Sequence, residues 1–185
     1  MIDTKLRARV QPTFDFLGKG LVKLRLTPNV ITIMALIIGI FAGILIGFKL
    51  FTGAIVLLWL SGLLDVLDGT VARLTGKSSK IGAYLDLIFD RLVEAGIILG
   101  FYFAMPENAF AYLTFFIAVL FNFTTFTVAA ALFSNKGEKS MHYDVGIAER
   151  TETFITFTLM LLFPAFSNII LLLFNGIIEI GRAHV

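Results

Sequence analysis

Four aspartates, Asp65, Asp68, Asp86 and Asp90, interrupt an otherwise apolar stretch in the pattern D-x2-D-G-x2-A-R-x8-G-x3-D-x3-D. A charged side chain near the middle of a membrane helix costs roughly 2.5–3.5 kcal/mol on insertion scales, so carboxylates clustered there need a compensating partner. A bound divalent cation is the natural one. Carboxylate oxygens suit a hard cation, Mg²⁺ or Mn²⁺, rather than zinc. With four negative groups two ions fit, and a pair of metals commonly serves phosphoryl displacement. Two blander readings use the same residues: a proton relay in an ion-coupled transporter, and a purely structural ion site. Gly69, Ala72 and Gly82 leave the carboxylate face without bulk, and Arg73 is a suitable phosphate donor. These neighbours favour a metal-dependent enzyme acting on a phosphate compound over a transporter.

Helices must position these groups. At 100° per residue, Asp65, Asp68, Gly69 and Ala72 fall within an arc of about 100° on one helix, and Gly82, Asp86 and Asp90 within about 80° on the next. Asp65 precedes Arg73 by eight residues and Asp90 follows Gly82 by eight. On antiparallel helices joined between Arg73 and Gly82, each therefore sits ~12 Å from the turn, at matching depth.

The composition supplies such helices. The chain has 185 residues, 58% of them hydrophobic, with 20 Phe, and a mean hydropathy of +0.92. Since ~20 helical residues cross the ~30 Å bilayer core, the apolar runs read as membrane spans. Six are expected, roughly 28–48, 52–73, 82–104, 109–133, 150–164 and 166–180. The fold class is thus all-α integral membrane, with residues 1–185 forming one domain. Ahead of the spans, Leu6, Val10, Phe14, Leu17, Leu21 and Leu24 recur every three or four residues, while Lys5, Arg9, Lys19 and Lys23 take other faces. That pattern predicts an N-terminal amphipathic helix lying in the headgroup region. Charges from Asp3 to Arg25 argue against a signal peptide. The absence of Cys excludes disulfides, thiolate metal sites and Cys nucleophiles. Gly39, Gly43 and Gly47 form a small-residue stripe suited to close helix packing.

Basic residues alternate between the two sides. They concentrate in the N-terminal segment, in the 73–81 turn (Arg73, Lys77, Lys80) and in the 134–150 loop (Lys136, Lys139, Arg150), whereas the opposite connections hold only Lys49. The positive-inside rule then places the N-terminus and the carboxylate site at the cytoplasmic face of a multi-pass cell-membrane protein.

Asp65, Asp68, Gly69, Ala72, Arg73, Gly82, Asp86 and Asp90 match the signature of the CDP-alcohol phosphotransferase (phosphatidyltransferase) family without a gap. The chain also resembles that family in its N-terminal helix and in the Thr27-Pro28-Asn29 opening of the first span. The resemblance implies an Mg²⁺-dependent (or Mn²⁺-dependent) enzyme with two ions, usually a homodimer, that displaces CMP from a CDP-linked substrate with an alcohol. Asp65, Asp68 and Asp86 would hold metal. Asp90 would be the general base and also touch a metal. Gly69, Ala72, Arg73 and Gly82 would line the CDP pocket. The expected reaction uses CDP-diacylglycerol and a polar alcohol or alcohol phosphate to make phospholipid. Alternatives are transfer from a soluble CDP-alcohol to diacylglycerol, or a proton- or ion-coupled transporter. Membrane lipids are the expected surroundings, and nucleic acid is not an expected partner.

Three weaker signals remain. Lys136, Lys139, His142 and Arg150 could meet an anionic acceptor, although a cytoplasmic loop would carry such charges anyway. Gly146 to Glu152 resembles a Glu-Arg segment of some members, including users of inositol phosphate, with Thr153 where a further Arg is expected. Arg91 and Glu94 read as a structural pair. Finally, residues 179–185, Glu179 to Val185, can be encoded by GAG ATC GGA AGA GCA CAC GTC, a common sequencing-adaptor string, and read as a non-native tail.

Overall fold

The computed structural model describes residues 2–133 and 150–182. Lys136, Lys139, His142, the Gly146 end of the Glu-Arg segment and residues 183–185 of the suspected tail lie outside them, as do the side chains of residues 1–10. Among the described residues the chain is helical throughout: α1 Ile2–Lys23, α2 Pro28–Gly47, α3 Phe51–Thr75, α4 Lys80–Ala104, α5 Ala109–Phe133, α6 Arg150–Leu162 and α7 Ser167–Arg182. Short 3₁₀ turns, Pro106–Asn108 and Pro164–Phe166, precede α5 and α7. The chain divides into two compact units, Ile2–Pro106 and Glu107–Val185.

In the first unit, α2 packs against both α3 and α4, and α1 packs on α3. The glycine stripe explains the contact of α2 with α4. A methyl on Gly43 would run into the Gly96 carbonyl oxygen, and one on Gly100 into that of Gly43, so the backbones of α2 and α4 touch. Gly39 is equally constrained, with Val93 Cγ2 2.6 Å from where its Cβ would stand. Beside Gly39, Ser61 Oγ of α3 donates to the Ala35 carbonyl at 2.8 Å. α3 and α4 are thus both seated on α2.

Helix ends are set by local chemistry. Pro28 opens α2 after an extended Thr27, a position where its fixed φ and missing N–H cost nothing. Gly76 ends α3 in the left-handed conformation at φ 64°, and Lys77 N donates to the Ala72 carbonyl at 3.0 Å, as in a glycine C-cap. Ser79 begins α4 by accepting from Gly82 N at 3.0 Å.

In the second unit, α7 packs against α5 and α6. Phe115 and Phe157 stack at 5.8 Å between ring centroids. Asn175 donates to the Ala111 carbonyl at 3.1 Å and to Thr114 Oγ1 at 2.9 Å, and Asn108 donates to Ser167 Oγ at 2.9 Å.

Each segment expected to span is a helix. By length and composition, three helical stretches can cross a membrane: Pro28–Gly47, Phe51–Thr75 and Pro106–Thr125. The pair α6 and α7, bent by 116° at Pro164–Phe166, supplies a fourth if taken as one broken span. Among the described residues α6 has 13 and α7 has 16, against the ~20 that cross a bilayer. α4 is long enough at 25 residues, but Asp86, Asp90, Arg91 and Glu94 make it too charged to qualify by composition.

Candidate active site

The site is built in the first unit, between α3 and α4. Asp65 and Asp68 lie one turn apart on α3, and Asp86 and Asp90 one turn apart on α4. Carboxylate oxygens of Asp65, Asp68 and Asp86 come within 4.8 Å of one another. Asp68 is buried, while Asp65 and Asp86 are half-buried. Asp90, half-buried one turn further along α4, stands outside this group of three. The three clustered carboxylates are the ones expected to hold metal, and Asp90 is the one expected to act as base.

The donor set fits a hard divalent cation. Oxygens around one Mg²⁺ lie roughly 3–4 Å apart for ~2.1 Å bonds in an octahedron, so the cluster needs only a slight closure. It contains carboxylates alone, without His or Cys, which disfavours zinc. Three negative groups this close also repel one another in a poorly solvated place, which a cation relieves.

The small residues stand where the spacing predicts. Gly69 is open: a Cβ there would meet only Arg73 Nη1, at 3.5 Å. At Gly82 a Cβ would lie 3.1 Å from Ser79 Oγ and 3.5 Å from Asn29 Oδ1. Ala72 is half-buried on the Asp68 stripe. Arg73 is exposed at the end of α3 and its Nη2 donates to Thr70 Oγ1 at 3.0 Å. A cavity of about 240 Å³ opens two turns down α3 from Asp68, among Thr75, Lys77, Arg25 and Thr27.

Three positions were not assigned to the site from the sequence. Thr70, itself bonded to the Val66 carbonyl at 3.0 Å, holds the Arg73 guanidinium. Ser79 fixes the first turn of α4 and so the direction of Gly82. Asn29 brings an amide beside Gly82. The i, i+3 spacing of Thr70 and Arg73 and the Ser before an apolar run were the available signals; Asn29 was marked only as part of the Thr27-Pro28-Asn29 opening of α2.

Apolar helices of spanning length around a carboxylate cluster that fits a hard cation define a membrane-embedded site for phosphate chemistry. The profile of the CDP-alcohol phosphatidyltransferase family matches residues 25–180. The chain is 36% identical over 173 residues to "Inner membrane protein YnjF" of Escherichia coli, covering 89% of this chain and 84% of that protein. It is 32% identical over 162 residues to the archaetidylinositol phosphate synthase of Pyrococcus horikoshii, covering 88% and 83%. A crystal structure of the Mycobacterium tuberculosis phosphatidylinositol phosphate synthase with CDP-DAG bound shares the fold, with a TM-score of 0.72 over 92% of this chain and 90% of that one, at 22% identity. The chain belongs to the CDP-alcohol phosphatidyltransferase family and is a membrane enzyme of that class.

Proposed function

We propose that this enzyme transfers the phosphatidyl group of CDP-diacylglycerol to a polar alcohol or alcohol phosphate and releases CMP. The observation that carries the metal-dependent form of this reading is the convergence of Asp65, Asp68 and Asp86 within 4.8 Å. They are the proposed ligands of Mg²⁺ or Mn²⁺, with Asp90 completing a two-ion site. When bound, the cations would neutralise the pyrophosphate of the CDP substrate. Gly69, Ala72 and Gly82 let that substrate lie against the backbone, and Arg73, held by Thr70, donates to its phosphates. The recess beside Thr75 and Lys77, with Arg25 at its edge, offers further basic side chains near the end of α3.

Asp90 is the proposed general base. It takes the proton of the acceptor hydroxyl as the oxygen forms a bond to the phosphorus bearing the lipid. The bond from that phosphorus to the CMP oxygen breaks, and CMP departs with the electron pair. A cytoplasmic acceptor and a donor in the bilayer can both reach a site between helices near the membrane surface.

We read the chain as one domain with six membrane segments and its N-terminus and site in the cytoplasm, working as a homodimer. Pairing and carboxylate clustering on α4 support its embedding despite its charges. For α1 the support is apolar surface: Phe16 is 76% and Leu24 71% exposed beside a helix that packs on α3 through Gly18. An interfacial position would cover them with lipid. The tail from Glu179 remains a proposed adaptor product, testable by reading the genomic copy.

The decisive experiment measures CMP release by purified protein in detergent with Mg²⁺. A panel pairs CDP-diacylglycerol with serine, glycerol 3-phosphate, inositol, inositol phosphate and a phospholipid, and pairs soluble CDP-alcohols with diacylglycerol. Release with CDP-diacylglycerol and one acceptor is expected. Folded protein that releases CMP only from a soluble CDP-alcohol would reverse the donor, and none at all would overturn the enzyme assignment.

A further inference from the structure

Beyond the four aspartates, α4 carries a third acidic residue on the same stripe. Asp86, Asp90 and Glu94 stand at i, i+4 and i+8, so their side chains leave neighbouring turns within an arc of about 80°. Glu94 is only 4% exposed. A buried carboxylate is strongly disfavoured unless its charge is met, and the Arg91 guanidinium meets it, with Nη2 2.8 Å from Glu94 Oε1. Arg91 is itself partly withdrawn, with Nε buried. Along α4 the residues at i−4 and i−3 from Arg91 are Leu87 and Ile88, so Glu94 is its acidic neighbour at helical spacing.

We infer that the Arg91–Glu94 pair balances the charge of the site. It cancels a fifth carboxylate one turn from Asp90 and leaves four negative groups, the number two divalent cations neutralise. The inference rests on the metal-dependent reading above. Arg91 and Glu94 are positioning residues here, acting on the cations through charge and through the turn of α4 that carries Asp90. If the pair only tied α4 together, removal of either partner would lower stability and shift cation affinity alike. A charge balance gives opposite signs. Glu94→Gln leaves an unanswered positive charge beside the carboxylates and weakens cation binding. Arg91→Met removes a positive charge beside the carboxylates and strengthens it. The double variant returns to neutrality.

The experiment measures Mn²⁺ affinity of the full chain in detergent by electron paramagnetic resonance, with helicity and thermal unfolding followed in parallel. Unit charges about 12 Å apart, the helical rise from Asp86 to Glu94, interact at an effective dielectric near 20 strongly enough to shift a binding constant roughly tenfold. Glu94→Gln is therefore expected to weaken Mn²⁺ binding about tenfold, and Arg91→Met/Glu94→Gln to recover most of that loss. Should Arg91→Met alone fail to fold, the comparison of Glu94→Gln with the double variant carries the same test. Variants that fold and shift affinity in one direction, or a double variant no better than Glu94→Gln, overturn the charge balance while leaving the metal site standing. Wild-type protein that binds no Mn²⁺ overturns the metal reading and the balance with it.

Discussion

The units Ile2–Pro106 and Glu107–Val185 join helices in opposite ways. In the first, glycines bring backbones into contact, so that Gly43 and Gly100 exclude even a methyl group. In the second, large rings and amide side chains span the gap, as in Phe115 against Phe157 and Asn175 against α5. The first arrangement serves a site that must hold carboxylates to a fraction of an ångström, because a glycine crossing has no side-chain rotamer to relax. Backbone contact fixes α2 against α4, and Ser61 fixes α3 against α2. The two faces bearing Asp65, Asp68 and Asp86 inherit that placement. Rings and amides fasten helices without demanding such close approach, and the second unit contributes none of the three clustered carboxylates.

The largest effect should come from the chemistry of the first unit. Asp90→Asn keeps shape and hydrogen-bonding capacity but removes the proton acceptor, and loss of a general base typically costs about 10²–10⁴ in rate. Turnover should fall by that factor with thermal unfolding and nucleotide binding nearly unchanged. Asp68→Asn should act differently, weakening cation binding so that raised Mg²⁺ restores activity. Equal rescue of both variants by Mg²⁺ would erase the distinction between the group of three and Asp90.

Next comes the frame beneath the site. Gly43→Ala places a methyl against the Gly96 carbonyl, and forced overpacking typically costs 1–3 kcal/mol. The midpoint of thermal unfolding should drop, and CMP release should drop even in the fraction still folded, because α4 shifts relative to α3. Gly176→Ala, at a position with nothing within 4 Å of the new methyl, is the control and should change neither. Full activity in folded Gly43→Ala would break the link between glycine contact and carboxylate placement.

The sequence exposed the site more readily than the frame. Asp65, Asp68, Gly69, Ala72, Arg73, Gly82, Asp86 and Asp90 are local in the chain, and helical periodicity alone sorts them onto two faces. Helix bounds were also legible, since Pro28, Gly76 and Ser79 act on their own turns. What periodicity could not supply is which helices touch. The Gly39 and Gly43 stripe announced a close contact but not that its partner is Gly96 and Gly100 on α4, because a stripe specifies a geometry rather than an address. For the same reason the seating of α3 and α4 on α2 depends on long-range pairing. In α6 and α7 the break at Pro164 falls where the sequence placed it, because proline acts on its own turn.

A smaller effect is expected from the second unit's amide clasp. Asn175→Leu deletes the bonds to the Ala111 carbonyl and Thr114 Oγ1. Interhelical hydrogen bonds in membrane proteins average about 0.6 kcal/mol, so a loss near 1 kcal/mol is expected for the two. CMP release per folded molecule should stay at the wild-type value. A large fall in turnover without unfolding would mean that this unit takes part in the chemistry, and the contrast between the units would need redrawing.

The smallest effect concerns an anion site on the acceptor side. Lys136, Lys139 and Arg150 are the basic residues of the 134–150 loop, and Arg150 at the start of α6 sits with its Cζ 5.2 Å from the Phe154 ring centroid. If the acceptor is a phosphorylated alcohol, its charge needs a partner that is not already engaged with the CDP group. Exposed ion pairs are worth roughly 0–1 kcal/mol each, so neutralising all three should raise the acceptor's KM by a few-fold to about tenfold. The KM of CDP-diacylglycerol should be unchanged, and the effect should shrink as salt screens the loop. With inositol or serine as acceptor the same substitutions should do little, since those molecules bring no phosphate to the site. Equal weakening of both substrates would trace the change to packing around Phe154 and retire the loop as a recognition element.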